Sequence, residues 1–106
     1  MTEYPAGPLK RPPTHPGELM REALVEHLKI PIAEAARRMG ISRPALYAVL
    51  TGKGGVTAEM ALRFSRLGGG TPDLLLRMQN SRDLWDAAHR LKKELARIKP
   101  ATTKAA

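Results

Sequence analysis

The sequence of 106 residues contains no cysteine, which excludes disulfide bonds and thiolate-bound metal ions. Small secreted domains usually depend on such links, so this composition favours a reducing, cytoplasmic location. No run approaches the roughly 18 apolar residues of a membrane-spanning helix, and we expect no membrane contact. Aromatic residues make up only 4% of the chain, so the core must be built from aliphatic side chains.

Alternation of polar and apolar residues with period two is also missing, which predicts an all-α fold without strands. The length fits one domain, since domains commonly have about 100–200 residues. Prolines interrupt residues 1–14, which we predict to be a flexible arm. The remaining divisions that we predict are a main helical domain over residues 15–80, a C-terminal helix over 81–99 and a loose tail over 100–106.

Patterns typical of catalysis or metal binding are absent from the sequence. The three histidines, His15, His27 and His89, share no metal-ligand spacing. The glycines around Lys53 do not complete a phosphate-binding loop, and the serines and carboxylates suggest no nucleophile with its base. We therefore predict that the protein is not an enzyme and has neither a metal ion nor another cofactor.

Positive charge is concentrated in two blocks. The formal net charge of the chain is +8. Residues 37–66 contain six basic side chains and one acidic side chain, and residues 90–106 have the same balance. Basic blocks on a small domain indicate a polyanionic partner, with nucleic acid the first choice. The alternative is a solvated surface that happens to be basic.

Local start and stop signals predict six helices. Pro16 suits the first position of a helix, with Thr14 or His15 as its cap, and Ser42 and Thr57 are good caps for later helices. The predicted helices run from Pro16 through Leu28, from about Ile32 to Met39, from Ser42 to Gly52, and over about 58–67, 72–78 and 81–99.

The last predicted helix has an apolar stripe with steps of four, three, four and three residues, a spacing typical of a helix-packing seam. We call this stripe the predicted seam. It consists of Leu84, Ala88, Leu91, Leu95 and Ile98, with Trp85 at its edge. The stripe either packs onto the protein's own core or pairs with a second copy of the chain.

The most informative segment is residues 32–52, which predicts two short helices joined by a tight turn. Ala36 is small, which allows the second helix to cross the first closely. Gly40 can adopt the left-handed backbone of the turn, and Leu46 and Val49 can anchor the second helix. This spacing is typical of a helix-turn-helix, whose second helix enters the major groove of DNA. We therefore predict that residues 15–80 form a helix-turn-helix DNA-binding domain.

The sequence also resembles the HigA-type antitoxins, a branch of the lambda-repressor-like (XRE) helix-turn-helix family. The resemblance covers about residues 11–85. It is carried by RPPTHPGE at 11–18, ARRMGISR at 36–43, AEMALR at 58–63, TPD at 71–73, Gln79, and DLW at 83–85. It implies a five-helix bundle with a C-terminal helical extension, dimerisation, repression of the protein's own promoter, and neutralisation of a small RelE-like ribonuclease toxin.

Four positions depart from the pattern of that family. Pro31 replaces the usual Ser or Thr cap of the second helix, and Ala35 replaces a common Leu. Pro44 stands where many members have Gln, a residue that can read adenine. Gly68 stands where an apolar aromatic residue is common. The second helix should therefore begin without a side-chain cap, and the base-reading surface should be poor in polar groups.

For DNA reading we predict Arg43 as the contact to guanine O6 and N7. Tyr47 lies one turn later on the same face and could contact a base or a phosphate. Ala45 and Ala48 are small enough to let the helix approach the bases, where either could touch a thymine methyl group. These residues would make the second helix of the motif the reading helix.

For the DNA backbone we predict contacts from three basic residues that flank the groove, Arg37, Arg38 and Lys53. The helix amides behind Ser42 would add a phosphate site at the start of the reading helix. The predicted partners are thus double-stranded DNA with an inverted-repeat operator, a second copy of the chain, and a ribonuclease toxin. Two alternatives are a regulator without a toxin and an interaction module that no longer reads DNA.

Overall fold

The computed structural model describes residues 10–101. Residues 1–9 of the predicted arm and residues 102–106 of the predicted tail lie outside this range. Over the described range the chain forms helices and no strand, which confirms the all-α prediction. The helices are α1 (Pro16–Glu22), continued by a π-helical segment (Ala23–Leu28), α2 (Ile32–Met39), α3 (Arg43–Leu50), α4 (Ala58–Gly68), α5 (Pro72–Arg90) and α6 (Lys92–Ala96).

Helix starts follow the local signals of the sequence. His15 caps α1, because its ring Nδ1 accepts a hydrogen bond from the Gly17 N–H at 2.9 Å. Ser42 and Thr57 cap α3 and α4 through their side-chain oxygens, as predicted. α2 begins after Pro31 without a side-chain cap, which was also predicted. The unpaired amides at the start of α2 therefore lack the partner that Ser or Thr would provide.

The continuation of α1 as a π-helix was not predicted. The segment Ala23–Leu28 ends at Lys29, whose φ of 54° lies in the left-handed region. A lysine at this point gives no stop signal, since glycine or asparagine normally takes this conformation. The wide turn keeps Leu24 fully buried and directs Leu28 towards the core.

The core lies between α1, α2, α3, α4 and the first half of α5, and it is aliphatic except for one phenylalanine. Ala36 is 1% exposed, which confirms its predicted burial beneath α3. The buried apolar residues are Met20, Leu24, Ala35, Ala36, Met39, Leu46, Val49, Leu50, Val56, Ala61, Phe64 and Leu75.

α1 and α3 lie very close together at Gly17. A β-carbon added there would lie 2.0 Å from the carbonyl oxygen of Val49. Backbone at that distance cannot move aside as a flexible side chain could, so the position requires glycine. Gly17 thus fixes the distance between the first helix and the back of the predicted reading helix.

The structure also explains two departures from the family pattern. Ala35 is fully buried, so the small side chain is matched by a close fit of the surrounding helices. A β-carbon at Gly68 would lie 3.2 Å from Leu28 Cδ1 and 3.6 Å from the Phe64 ring. Leu28 and Phe64 therefore occupy the space that an aromatic residue at position 68 would need.

The predicted break between a fifth helix ending near Met78 and a last helix beginning near Ser81 is wrong. α5 runs without interruption from Pro72 to Arg90, and the break occurs instead at Leu91. Neither glycine nor proline lies between residues 73 and 99, so nothing interrupts the helix, and Ser81 is an interior residue of α5 rather than the start of a new helix. The boundary predicted between residues 80 and 81 falls inside α5.

Candidate nucleic-acid interface

The turn between α2 and α3 has the geometry that the sequence predicts. Gly40 adopts a left-handed φ of 74°. The Gly40 N–H donates to the Arg37 carbonyl at 3.1 Å, and the Ile41 N–H donates to the Ala36 carbonyl at 3.0 Å. These two bonds close the C-terminus of α2 and set the direction in which α3 leaves the turn.

Arg63 of α4 also holds this turn, a role that the sequence analysis missed. Its guanidinium donates through NH1 to the Met39 carbonyl at 2.7 Å and through Nε to Glu59 at 3.0 Å. The spacing of Glu59 and Arg63 shows that they can pair on α4. The contact with Met39 joins residues far apart in the chain, so no local pattern reveals it.

α3 presents one buried and one exposed face. Leu46, Val49 and Leu50 are buried against the other helices. The opposite face is open to solvent and contains three of the predicted base-reading residues, Arg43, Ala45 and Tyr47. Tyr47 is 47% exposed although it is a large apolar ring with one hydroxyl, which leaves it accessible to a partner.

The start of α3 is firm in spite of Pro44. Ser42 Oγ accepts a hydrogen bond from the Ala45 N–H at 3.2 Å. Pro44 lies in the first turn, where a backbone N–H would have no partner within the helix. Pro44 therefore supports the helix while offering no hydrogen-bonding side chain to DNA. The exposed amide end of α3 can favour a phosphate near Ser42.

The predicted phosphate contacts on α2 have different surroundings. The Arg37 side chain is 70% exposed and forms a 2.6 Å ion pair with Glu34. The hydrogen bond from Arg37 lowers the pKa of Glu34, and the same bond raises the pKa of Arg37. Arg38 is exposed and borders a shallow groove that α4 completes with Arg63 and Arg66. Glu34 engages one nitrogen of the Arg37 guanidinium, so the remaining N–H donors are available to a phosphate.

Lys53 lies on the loop 51–57 that follows α3, and it is exposed. The Gly54 N–H donates to the Ala48 carbonyl at 2.8 Å, which folds the loop back against the end of α3. At the far end, the Val56 N–H donates to Gln79 Oε1 at 2.8 Å. The structure thus places Lys53 beside α3, between two anchored points of the backbone.

The predicted seam is not one continuous helix. Leu84, Trp85 and Ala88 lie on α5, Leu95 lies on α6, and Ile98 follows α6. The stripe is open to solvent, since Leu84, Leu95 and Ile98 are 41%, 47% and 67% exposed. Two members, Ala88 and Leu91, are half-buried, as is Trp85 at the edge of the stripe.

The edge of this stripe contains a stacked aromatic pair. The rings of Trp85 and His89 lie 3.7 Å apart at an angle of 24°. His89 Nδ1 lies 2.8 Å from the Trp85 carbonyl oxygen, so this nitrogen carries the proton. The contact fixes the Trp85 ring on the surface of α5, next to the exposed Leu84.

Among residues 10–101, no cluster of histidine and carboxylate side chains is arranged to hold a metal ion. No helix in that range has both the length and the apolar character needed to cross a membrane.

Comparison with known proteins identifies the architecture. A sequence profile of the helix-turn-helix family matches residues 20–75, which is more than half of the chain. The chain belongs to the helix-turn-helix family. Antitoxin HigA-1 of Vibrio cholerae is 32% identical over 91 residues, which cover 86% of each protein. The match extends well beyond the helix-turn-helix itself.

Solved structures give the same result. Antitoxin GraA matches with a TM-score of 0.77 at 33% identity, over 85% of this chain and 98% of GraA. The structure of GraA in complex with its operator matches with a TM-score of 0.74 at 33% identity, over 90% of this chain and 99% of GraA. The Pseudomonas aeruginosa antitoxin HigA, solved with the higBA promoter, matches with a TM-score of 0.76 at 26% identity, over 85% of this chain and 99% of that protein. The HigA-type resemblance is confirmed, and the chain is a helix-turn-helix regulator rather than an enzyme.

Proposed function

We propose that this protein is the antitoxin of a type II toxin–antitoxin pair and that it represses its own promoter as a homodimer. The observation that carries the proposal is the exposed face of α3, which is held rigidly from behind and flanked by basic residues. Relatives with this fold were solved on an operator and on a promoter. The partner would be double-stranded DNA, and the site of action would be the cytoplasm.

Arg43 is proposed as the main reader of sequence. It lies at the first position of α3, and its side chain is exposed. An arginine there can donate two hydrogen bonds to O6 and N7 of guanine. Tyr47 would lie one turn deeper in the groove, and Ala45 would allow the close approach. Pro44 has no side-chain group that can hydrogen-bond to a base, so few polar groups read bases. The shape of the DNA and the phosphate contacts would therefore contribute a large share of recognition.

The phosphate contacts would surround this reading surface. Lys53 lies past the end of α3, the helix amides behind Ser42 lie at its start, and Arg37 and Arg38 lie on α2. These groups fix the position of the protein on DNA but do not distinguish sequences. Among them Lys53 is the simplest to test, because its loop is anchored and Arg37 is engaged with Glu34.

Dimerisation would increase the number of base pairs that the protein recognises. One α3 contacts few base pairs, whereas two copies can enter successive major grooves about 34 Å apart. The exposed stripe of α5 and α6 is the surface that we propose for pairing, with Leu84, Leu95 and Ile98 at its open positions. A symmetric pair of this kind would recognise an inverted repeat.

The antitoxin activity is proposed from the relationship to HigA-1, GraA and HigA. The partner would be a small RelE-like ribonuclease encoded next to this chain. Coexpression provides the test: the ribonuclease should arrest growth when it is expressed alone, and this chain should restore growth. Failure to restore growth would leave a stand-alone regulator, the second prediction from the sequence.

DNA binding itself is tested by a mobility-shift titration with the region upstream of the gene and a scrambled duplex of equal length. We expect the upstream region to bind at least about tenfold more tightly, because specific and non-specific binding commonly differ by factors of 10³ or more. Binding to both should weaken steeply with salt. Equal affinity for the two duplexes would favour a module that no longer reads DNA.

A further inference from the structure

The loop 51–57 places Lys53 beside the reading helix, and its backbone is fixed at two points. The first is the hydrogen bond from the Gly54 N–H to the Ala48 carbonyl at the end of α3. The second is Val56, whose side chain is buried and whose N–H donates to Gln79 Oε1 at 2.8 Å. Gln79 belongs to α5, so this second point ties the loop to a different helix.

The amide of Gln79 is held in one orientation. Gln79 is 8% exposed, and its Nε2 donates to Asp83 Oδ1 at 2.8 Å. If the amide turned over, Nε2 would face the Val56 N–H and Oε1 would face the carboxylate of Asp83. Both contacts would then be repulsive, because two donors or two acceptors would face each other. Asp83, one turn later on α5, therefore determines which end of the amide meets the loop.

We propose that Gln79 is a positioning residue for DNA binding: it holds the loop so that Lys53 faces the DNA backbone, and Asp83 orients its amide. This inference rests on the proposed function. A lysine on a fixed backbone loses less freedom when it binds a phosphate than a lysine on a mobile loop. Asp83 is followed directly by Leu84 and Trp85, so the helix that presents the proposed dimer surface also sets this phosphate contact.

The first measurement is hydrogen exchange at single amides, which needs no DNA. Gln79→Met keeps the length of the side chain and removes both hydrogen bonds. We expect the Val56 amide to lose protection against exchange. The Met60 amide donates to Thr57 Oγ1 and not to Gln79, so it should keep its protection. Retained protection at Val56 would overturn the inference at its first step.

The second measurement is the salt dependence of binding to a random duplex, where phosphate contacts dominate. Lys53→Ala should lower the slope of log affinity against log salt concentration by about 0.9, the value for one phosphate contact. Gln79→Met should lower it by a similar amount, and Lys53→Ala should then have little further effect. Asp83→Asn should lie in between. Asn80→Ala, an exposed neighbour on α5, is the matched control and should leave the slope unchanged.

The outcomes separate the inference from the proposed function. If Lys53→Ala lowers the salt slope by its full amount in the Gln79→Met background, Lys53 contacts the phosphate without help from Gln79. That result would overturn the inference. If Lys53→Ala alone leaves the salt slope unchanged, Lys53 does not contact a phosphate, and the inference is overturned as well. Absence of binding by the unaltered protein contradicts the proposed function. If Gln79→Met does not fold, the comparison is decided by Asp83→Asn, whose altered side chain is exposed.

Discussion

Gly17→Ala is the substitution that tests the packing of the reading helix most directly. The added β-carbon would lie 2.0 Å from the Val49 carbonyl oxygen and 3.0 Å from the carbonyl carbon, whereas ordinary contacts begin at 3.4 Å. To relieve this overlap, α1 and α3 must separate by roughly 1.4 Å, and a gap of 0.5–1 Å already forfeits about a quarter to a half of the dispersion attraction across it.

We expect Gly17→Ala to lower the free energy of unfolding by about 1–3 kcal/mol, the range for an overpacked contact. The higher helix propensity of alanine would offset at most about 1 kcal/mol of the loss. Each kcal/mol corresponds to a fall in Tm of about 4–8 °C for a domain of this size. Because Val49 is part of the reading helix, affinity for the upstream DNA should fall as well.

The assay is thermal and urea unfolding followed by circular dichroism, with Gly68→Ala as the matched control. A β-carbon at Gly68 would meet the terminal methyl of Leu28 at 3.2 Å. A small rotation of the leucine side chain can move this methyl group away. The control should therefore change stability by less than about 1 kcal/mol. Equal melting temperatures for Gly17→Ala and the unaltered protein would refute the close approach of α1 and α3.

Four further variants test other parts of the structure. Ala36→Leu should overpack the crossing of α2 and α3 and lower stability by about 1–3 kcal/mol; an unchanged Tm would argue against the helix-turn-helix geometry. Arg43→Ala should lose roughly 1–3 kcal/mol of affinity for the operator and relax the preference at one base pair; equal losses on operator and random duplexes would show that Arg43 does not read sequence. Lys53→Ala should weaken both duplexes alike in the same titration. Leu84→Glu combined with Leu95→Glu should give a helical monomer in sedimentation, because pairing would bury two unpaired carboxylates; a variant that stays dimeric would place the interface elsewhere.

The helix ends and the helix-turn-helix follow from short-range chemistry, and this part of the structure was predictable. The caps at Ser42 and Thr57 and the left-handed Gly40 each depend on neighbours within a few residues, and the buried Ala36 lies beneath the next helix along the chain. Such interactions are present in the linear pattern, because a cap bonds the third amide after it and a helix turn needs a small or flexible residue. The exposed face of α3 follows from the same periodicity.

The continuity of α5 near Ser81 has both a local and a tertiary cause. The sequence analysis predicts a helix ending near Met78 and another beginning near Ser81, but no glycine or proline interrupts the chain there. In the folded chain, Gln79 bonds Val56 across 23 positions of sequence, and Arg82 reaches the Pro13 carbonyl at 3.2 Å. These distant partners attach α5 to the rest of the chain on both sides of Ser81, and only the tertiary structure reveals them.

Sequence by itself therefore determined the fold class, through periodicity and composition, and the family, through its resemblance to the HigA-type antitoxins. The candidate reading residues also come from the sequence, and their role in DNA binding stays a prediction. Only the tertiary structure decided the supports of the site. Arg63 at the turn, Gln79 under the loop and Gly17 behind α3 each act on a residue distant in the chain. The hydrogen bonds of Arg63 and Gln79 measure 2.7 and 2.8 Å, and at Gly17 the backbone of Val49 leaves no room for a β-carbon. Such distances are fixed only when the whole core packs, because packing density rather than local propensity sets the separation of helices.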